Sequence, residues 1–248
     1  MRRFENKTAV ITGAASGMGF LTSKCFYEEG ANVVMLDVNK DALEKCAEEI
    51  KKSAGGKVLP VVTNVRSFEE IKNAVDTAKN EFGSVDITVS YAGGWAGRIF
   101  NEQCDFTGLS LEALEWGIDV NFRAPLYMAK CAIKYMKEQK SGVIVNIGSV
   151  DGVTGSGAAD YSAAKSGLVG FTKSMALIGA PYGVRCCMVS PGPVLTRPAM
   201  ANMKTALGRA AQPSEVVDLV MYLCSDKAAF ITGDNYVIDG GRSCGGRD

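Results

Sequence analysis

The chain has 248 residues, 27 basic and 27 acidic side chains, 47% hydrophobic residues and no histidine. Balanced charge gives no field to attract nucleic acid or an anionic membrane, so small, weakly charged partners are expected. The missing histidine excludes a Ser-His-Asp hydrolase, a His-ligated zinc site and a histidine general base, leaving Tyr, Lys, Cys or carboxylates for proton transfer.

The length suits one α/β domain or two small ones. No linker, repeat or low-complexity segment divides it, so residues 1–248 read as one domain. The N-terminal apolar run is too short for a signal-peptide core and no run reaches membrane-spanning length, so a soluble, cytoplasmic protein is expected. Eight cysteines, Cys25, Cys46, Cys104, Cys131, Cys186, Cys187, Cys224 and Cys244, are scattered without CxxC spacing and read as reduced, mostly structural thiols. No metal site is expected.

Short β-branched runs alternate with amphipathic helical patterns from the start: TAVIT, NVVMLD, KVLPVVT, DITVS, GVIVNIG, GVRCCMVS and NYVID. That rhythm predicts a doubly wound, mostly parallel sheet of about seven strands flanked by helices. Nearly all-apolar strands predict a sheet covered on both faces. Gly30, Gly83 and Gly183 stand between helical and strand patterns, where a helix C-cap favours positive φ.

After the first strand comes TGAASGMG, Thr12 to Gly19. Gly13 permits the tight turn, Gly17 lets backbone approach a pyrophosphate and Gly19 allows close helix–sheet packing. The N–H groups of the first helical turn, around Ser16, Gly17 and Met18, then face the anion. Eighteen residues after Gly19, Asp37 ends the second strand, where a carboxylate accepts hydrogen bonds from the adenosine ribose and repels a 2′-phosphate. Neither Ser16 nor Val38 offers a basic group, so NAD is expected over NADP.

Two stretches break the rhythm. Residues 93–109 carry three aromatics, and residues 191–212 hold three prolines and two methionines. Both follow strand C-termini, so they are candidate walls of a substrate pocket, with Trp95, Ile99, Phe100, Leu195, Met200 and Met203 as apolar lining and Asp151 and Arg98 for polar groups.

Tyr161 follows Ser149 by twelve residues and precedes Lys165 by four, which puts Tyr161 and Lys165 on one helix face. A free tyrosine, with a pKa near ~10, is a poor base at neutral pH, and a nearby ammonium favours the phenolate. Lys165 is therefore read as the tuning charge, Tyr161 as the proton carrier between alcohol and ketone, and Ser149 as the hydrogen-bond partner of the same substrate oxygen. Lys165 is also suited to hold the nicotinamide ribose and to relay protons to water through Asn121.

With TGAASGMG, Asn121, Ser149, YSAAK and PGPVLT in this order and spacing, the whole chain resembles the short-chain dehydrogenase/reductase family. The resemblance implies a seven-stranded Rossmann-type sheet and a catalytic tetrad of Asn121, Ser149, Tyr161 and Lys165. It implies nicotinamide contacts from Pro191, Gly192, Val194 and Thr196, with Asn64 and Val65 beside the adenine and Ala92 and Gly93 along the adenosine ribose. A homotetramer is also implied, with contacts from the helices around Leu126 and Phe171 and from the segment TGDNYVIDGG. The chain departs from the family pattern at Ser90 and Tyr91, where two asparagines are usual, at Asn64, where an aspartate is common, in a longer loop after Gly93 and in a shorter one after Thr196.

The activity so implied is NAD-dependent interconversion of a secondary alcohol and a ketone, with a cyclic or steroid-like substrate suggested by the apolar pocket. Two other readings stand beside it: an NADPH-linked 3-oxoacyl thioester reductase of the same family, and a dinucleotide-sensing or scaffold protein without turnover.

Overall fold

The computed structural model describes residues 2–102 and 105–245; Cys104 lies outside the described residues. The strands are β1 (Thr8–Thr12), β2 (Asn32–Asp37), β3 (Lys57–Val62), β4 (Ile87–Ser90), β5 (Gly142–Ile147), β6 (Val184–Pro191) and β7 (Asn235–Ile238). They form one parallel sheet in the order β3-β2-β1-β4-β5-β6-β7. The seven expected runs are these seven strands. Pro60, which has no N–H for a ladder, falls on the edge strand β3, where the loss of a donor is tolerated.

The helices are α1 (Gly17–Glu28), α2 (Lys40–Ile50), α3 (Phe68–Phe82), α4 (Ala96–Ile99), α5 (Leu111–Ile118), α6 (Ala124–Gln139), α7 (Asp151–Thr154), α8 (Ala159–Gly179) and α9 (Pro213–Cys224). Residues of α1, α2 and α9 pack one sheet face around Phe26, Leu43, Ile50 and Val220. On the other face α3, α6 and α8 contribute Ile71, Val75, Met128, Met136 and Met175. The adjacent Cys186 and Cys187 on β6 fall into these two opposite cores, as strand alternation requires. Local signals set the helix ends: Asn39, Ser67 and Ser110 accept from backbone N–H groups at the starts of α2, α3 and α5. Gly30, Gly83 and Gly183 take φ values of 90°, 80° and 68°.

Every strand runs the same way, so the loops after β1 to β6 emerge along one edge. Chain order reverses between β1 and β4, and a crevice opens there. α5 and α6 are joined by the π-helical turn Asp119–Arg123, a widened turn that recurs at functional sites.

Candidate active site

A cleft of about 920 Å³ follows that strand edge from Asp37 to Met203. Its walls hold the glycine loop, the residues after β3 and β4, the end of β5, the start of α8 and the segment after β6.

At one end Gly13, with φ of 66°, turns the chain out of β1, and a side chain there would strike the backbone of Ala92. A Cβ on Gly19 would collide with the carbonyl of Gly13, so α1 can lie this close to β1 only without one. No side chain caps the N-terminus of α1 at Ser16, and its first N–H groups remain available to an anion. Asp37 lies beside them. Its carboxylate accepts from Ala15 N at 3.1 Å and Asn39 N at 3.0 Å, which fixes its orientation at the end of β2. The arginine lining this end, Arg66, donates through Nε to Asp119 Oδ2 at 3.1 Å. The residues thus fit a dinucleotide: glycines where a Cβ would fill the cradle, open N–H groups for phosphates and an oriented carboxylate for a ribose.

Asn64 and Val65 line the cleft as expected, but Asn64 Oδ1 already accepts from Arg66 N at 3.1 Å. That amide oxygen thus shapes its own turn. Ala92 and Gly93 line the middle of the cleft, and Pro191, Gly192, Val194 and Thr196 the far side. The Thr196 methyl lies 3.6 Å from where a Cβ of Gly17 would stand, so the segment after β6 reaches across to the glycine loop.

Ser149, Tyr161 and Lys165 meet at the opposite end. Ser149, just beyond β5, accepts from Asp151 N through Oγ at 3.1 Å, which leaves its hydroxyl proton to be donated. Tyr161 is placed by the first turn of α8. Burial pushes its phenol up, opposed by hydrogen bonding to Ser149 and by the charges of Arg197 and Arg98, while Asp151 adds to the rise. Lys165, one turn on, is 3% exposed, lies 5.6 Å from the Tyr161 ring centroid and donates through Nζ to Ile147 O at 2.8 Å. Burial lowers its pKa to about 8. The lysine read as a tuning charge is therefore itself weakened as a cation by its setting, and the two arginines add charge that the motif alone does not reveal.

Asn121 stands one layer behind this surface, fully buried in the π-helical turn. Its Oδ1 accepts from Gly94 N at 2.9 Å, and its Nδ2 donates to Gly94 O at 2.8 Å and Gly117 O at 2.9 Å. With the amide so committed, Asn121 clamps the loop after β4 and does not line the cleft. A Cβ on Gly93 would lie 2.5 Å from Asn121 Oδ1 and 3.4 Å from Lys165 Nζ, so both side chains close on that glycine.

Of the expected substrate-pocket residues, Trp95, Asp151 and Met200 line the cleft, as do Arg98, Ile99 and Met203. Leu195 does not: its backbone N–H is bound to Ala211 O, and it falls outside the lining. Phe100 is also outside the lining and packs edge-on against Trp116 at 6.0 Å. Trp116 and Arg197 line the cleft without having been anticipated. Trp116 is hidden in the apolar pattern of a helix, but Arg197 directly follows the PGPVLT motif, and that position was a usable signal.

Tyr91, where the family pattern has asparagine, has a partner of another kind. Its hydroxyl accepts from Thr22 Oγ1 at 2.8 Å, tying the end of β4 to α1.

The family profile described as enoyl-(acyl carrier protein) reductase matches residues 13–243. The solved short-chain type dehydrogenase/reductase from Mycobacterium marinum superposes with a TM-score of 0.89 at 32% identity, covering 97% of this chain and 96% of that one. The chain belongs to the short-chain dehydrogenase/reductase family. Cyclohexanol dehydrogenase of Acinetobacter sp. (strain SE19) is 37% identical over 96% of this chain and 95% of its own length. The 7alpha-hydroxysteroid dehydrogenase of Bacteroides fragilis is 32% identical over 97% and 96%. This short-chain dehydrogenase/reductase is thus an oxidoreductase of a family that uses a nicotinamide cofactor.

Proposed function

We propose that this chain is an NAD(H)-dependent oxidoreductase that interconverts a secondary alcohol and a ketone. The observation that carries the reading is the convergence of Ser149, Tyr161 and Lys165 at one end of a cleft whose other end is the glycine cradle. A nicotinamide held in the cleft would supply or accept the hydride. Ser149 holds the substrate oxygen with the proton its own acceptor bond leaves outward, and Tyr161 gives that oxygen a proton in reduction or takes one in oxidation. Burial keeps Tyr161 protonated at neutral pH, which suits it to donate to a carbonyl. Lys165 serves as the neighbouring donor that stabilises the phenolate when the proton has left. Asn121 acts on this group through Gly93 and Gly94 as a positioning residue.

Asp37 favours NAD. Its oriented carboxylate would face a 2′-phosphate, and the arginine at that end is engaged by Asp119. This weighs against the NADPH-linked 3-oxoacyl thioester reductase, as does the even charge balance, which offers little to an acidic carrier. A sensor without turnover would have no use for the Ser149 and Tyr161 pair. The similarity to a cyclohexanol and a hydroxysteroid dehydrogenase, with walls of Trp95, Trp116 and Met200, supports a cyclic alcohol.

The test is NADH formation from NAD over a panel of secondary alcohols, with NADP in parallel. Tyr161→Phe is expected to lower kcat by about 10²-fold or more while retaining NADH binding. Undiminished turnover in that variant would remove Tyr161 from the chemistry, and binding without turnover by the native chain on any alcohol would favour the sensor.

A further inference from the structure

Two guanidinium groups stand at the catalytic end of the cleft. Arg98 comes from α4, on the loop after β4, and Arg197 from the segment after β6, so they approach from the two loop walls. Neither joins any ion pair among the described residues, although Arg66, Arg123 and Arg209 are all paired with acids. Arg197 Nη2 lies 3.8 Å from the Met200 sulfur, a weak partner for a full charge. Burial and the nearby charge of Arg197 disfavour the Arg98 cation, and both arginines favour the ionised form of Tyr161. Two like charges set close together in a cleft, beside the reacting hydroxyl, leave a place that an anion fills. The carboxylate acting on Tyr161 from the same cleft is Asp151, so the two arginines leave this end with more positive charge than negative. The remaining walls, Trp95, Trp116, Ile99, Met200 and Met203, are apolar.

We infer that the substrate is an amphipathic carboxylate, an apolar, ring-sized alcohol or ketone whose acid group is held by Arg98 and Arg197 while its oxygen is presented to Tyr161. The inference rests on the oxidoreductase reading above and narrows it: a carboxylate accepts the planar fork of arginine in a geometry that a neutral alcohol cannot reproduce.

The test compares binding of cyclohexanecarboxylate with that of its methyl ester, by calorimetry on the protein saturated with NADH. The acid is expected to bind at least about tenfold more tightly than the ester, as one charged hydrogen-bonding contact implies. Arg98→Gln and Arg197→Gln are each expected to cut that ratio several-fold, and higher salt to reduce it in the native chain. Equal binding of acid and ester by the native chain overturns the inference. A preference that survives both substitutions overturns the assignment to these arginines, and an Arg197→Gln variant that loses NADH affinity but keeps the ratio returns Arg197 to the cofactor. If NADH does not bind, the cofactor reading has failed, and the same acid-to-ester comparison on the free protein still decides the charge assignment. Equal reduction by NADH of 4-oxocyclohexanecarboxylate and its methyl ester, with an acid-to-ester binding ratio near one, would keep the oxidoreductase and remove the anion.

Discussion

Lys165 shows how a buried side chain couples chemistry to stability. Its ammonium is depressed from the usual 10.5 to about 8 by desolvation, equivalent to about 3 kcal/mol against the charged native form below that pH. Between about pH 8 and 10.5 the native lysine has released its proton while the unfolded one keeps it. The unfolded state then binds more protons, and stability rises with pH across that window. Thermal unfolding of the native chain and of Lys165→Met, at about pH 7.5 and about pH 10, should show the native chain gaining on the variant as pH rises. A constant gap would mean that the ammonium is solvated. At the other end of the cleft Asp37 tests cofactor choice: Asp37→Ser should lower kcat/KM for NAD about tenfold and narrow the preference over NADP. Unchanged ratios for the two cofactors would show that discrimination lies elsewhere.

Among elements, α1 and β4 are joined by a bond that the family pattern does not supply. The hydroxyl of Tyr91 is buried, and its phenol is pushed up by that burial, so it stays a neutral partner of Thr22. Tyr91→Phe removes the link and leaves the Thr22 hydroxyl without this acceptor, a loss of about 1 kcal/mol. Because α1 carries the glycine loop, the variant should also bind NADH more weakly, whereas a variant with lowered melting temperature and unaltered NADH affinity would make the link structural alone. The π-helical turn has a comparable place on the other side of the switch point. It brings Asn121 under the loop after β4, where one amide satisfies Gly94 N, Gly94 O and Gly117 O together.

For the whole molecule, the parallel sheet collects the loops after six strands along one edge, and the cleft follows from that geometry. Among the described residues no helix is long and apolar enough to cross a membrane. Large apolar side chains remain in water away from the cleft: Leu177 and Ile178 near the end of α8, Phe230 before β7 and Val237 on β7, the last strand of the sheet. This edge and the half-buried Leu126 and Phe171 coincide with the surfaces expected to join subunits. Light scattering behind a sizing column should report a mass of several 26.3 kDa chains, and Phe230→Asp should lower it. A monomer at micromolar concentration would refute the expected assembly.

Periodicity alone located the seven strands, because an apolar run between glycine or polar breaks has few other ways to bury itself. The glycine loop was legible for a similar reason: Gly13 and Gly19 occupy places where a Cβ meets backbone. The spacing of Tyr161 and Lys165 put them on one helix face before any contact was known. Long-range packing decided the rest. Only the folded chain shows that Asn121 is spent on Gly94 and Gly117, that Leu195 falls outside the cleft, that Tyr91 reaches Thr22 and that Arg98 and Arg197 line the same cleft. Each of these depends on where two distant segments meet. Local sequence sets the shape of an element and the chemistry of its side chains, whereas the partner of a buried polar or charged group is fixed by tertiary packing.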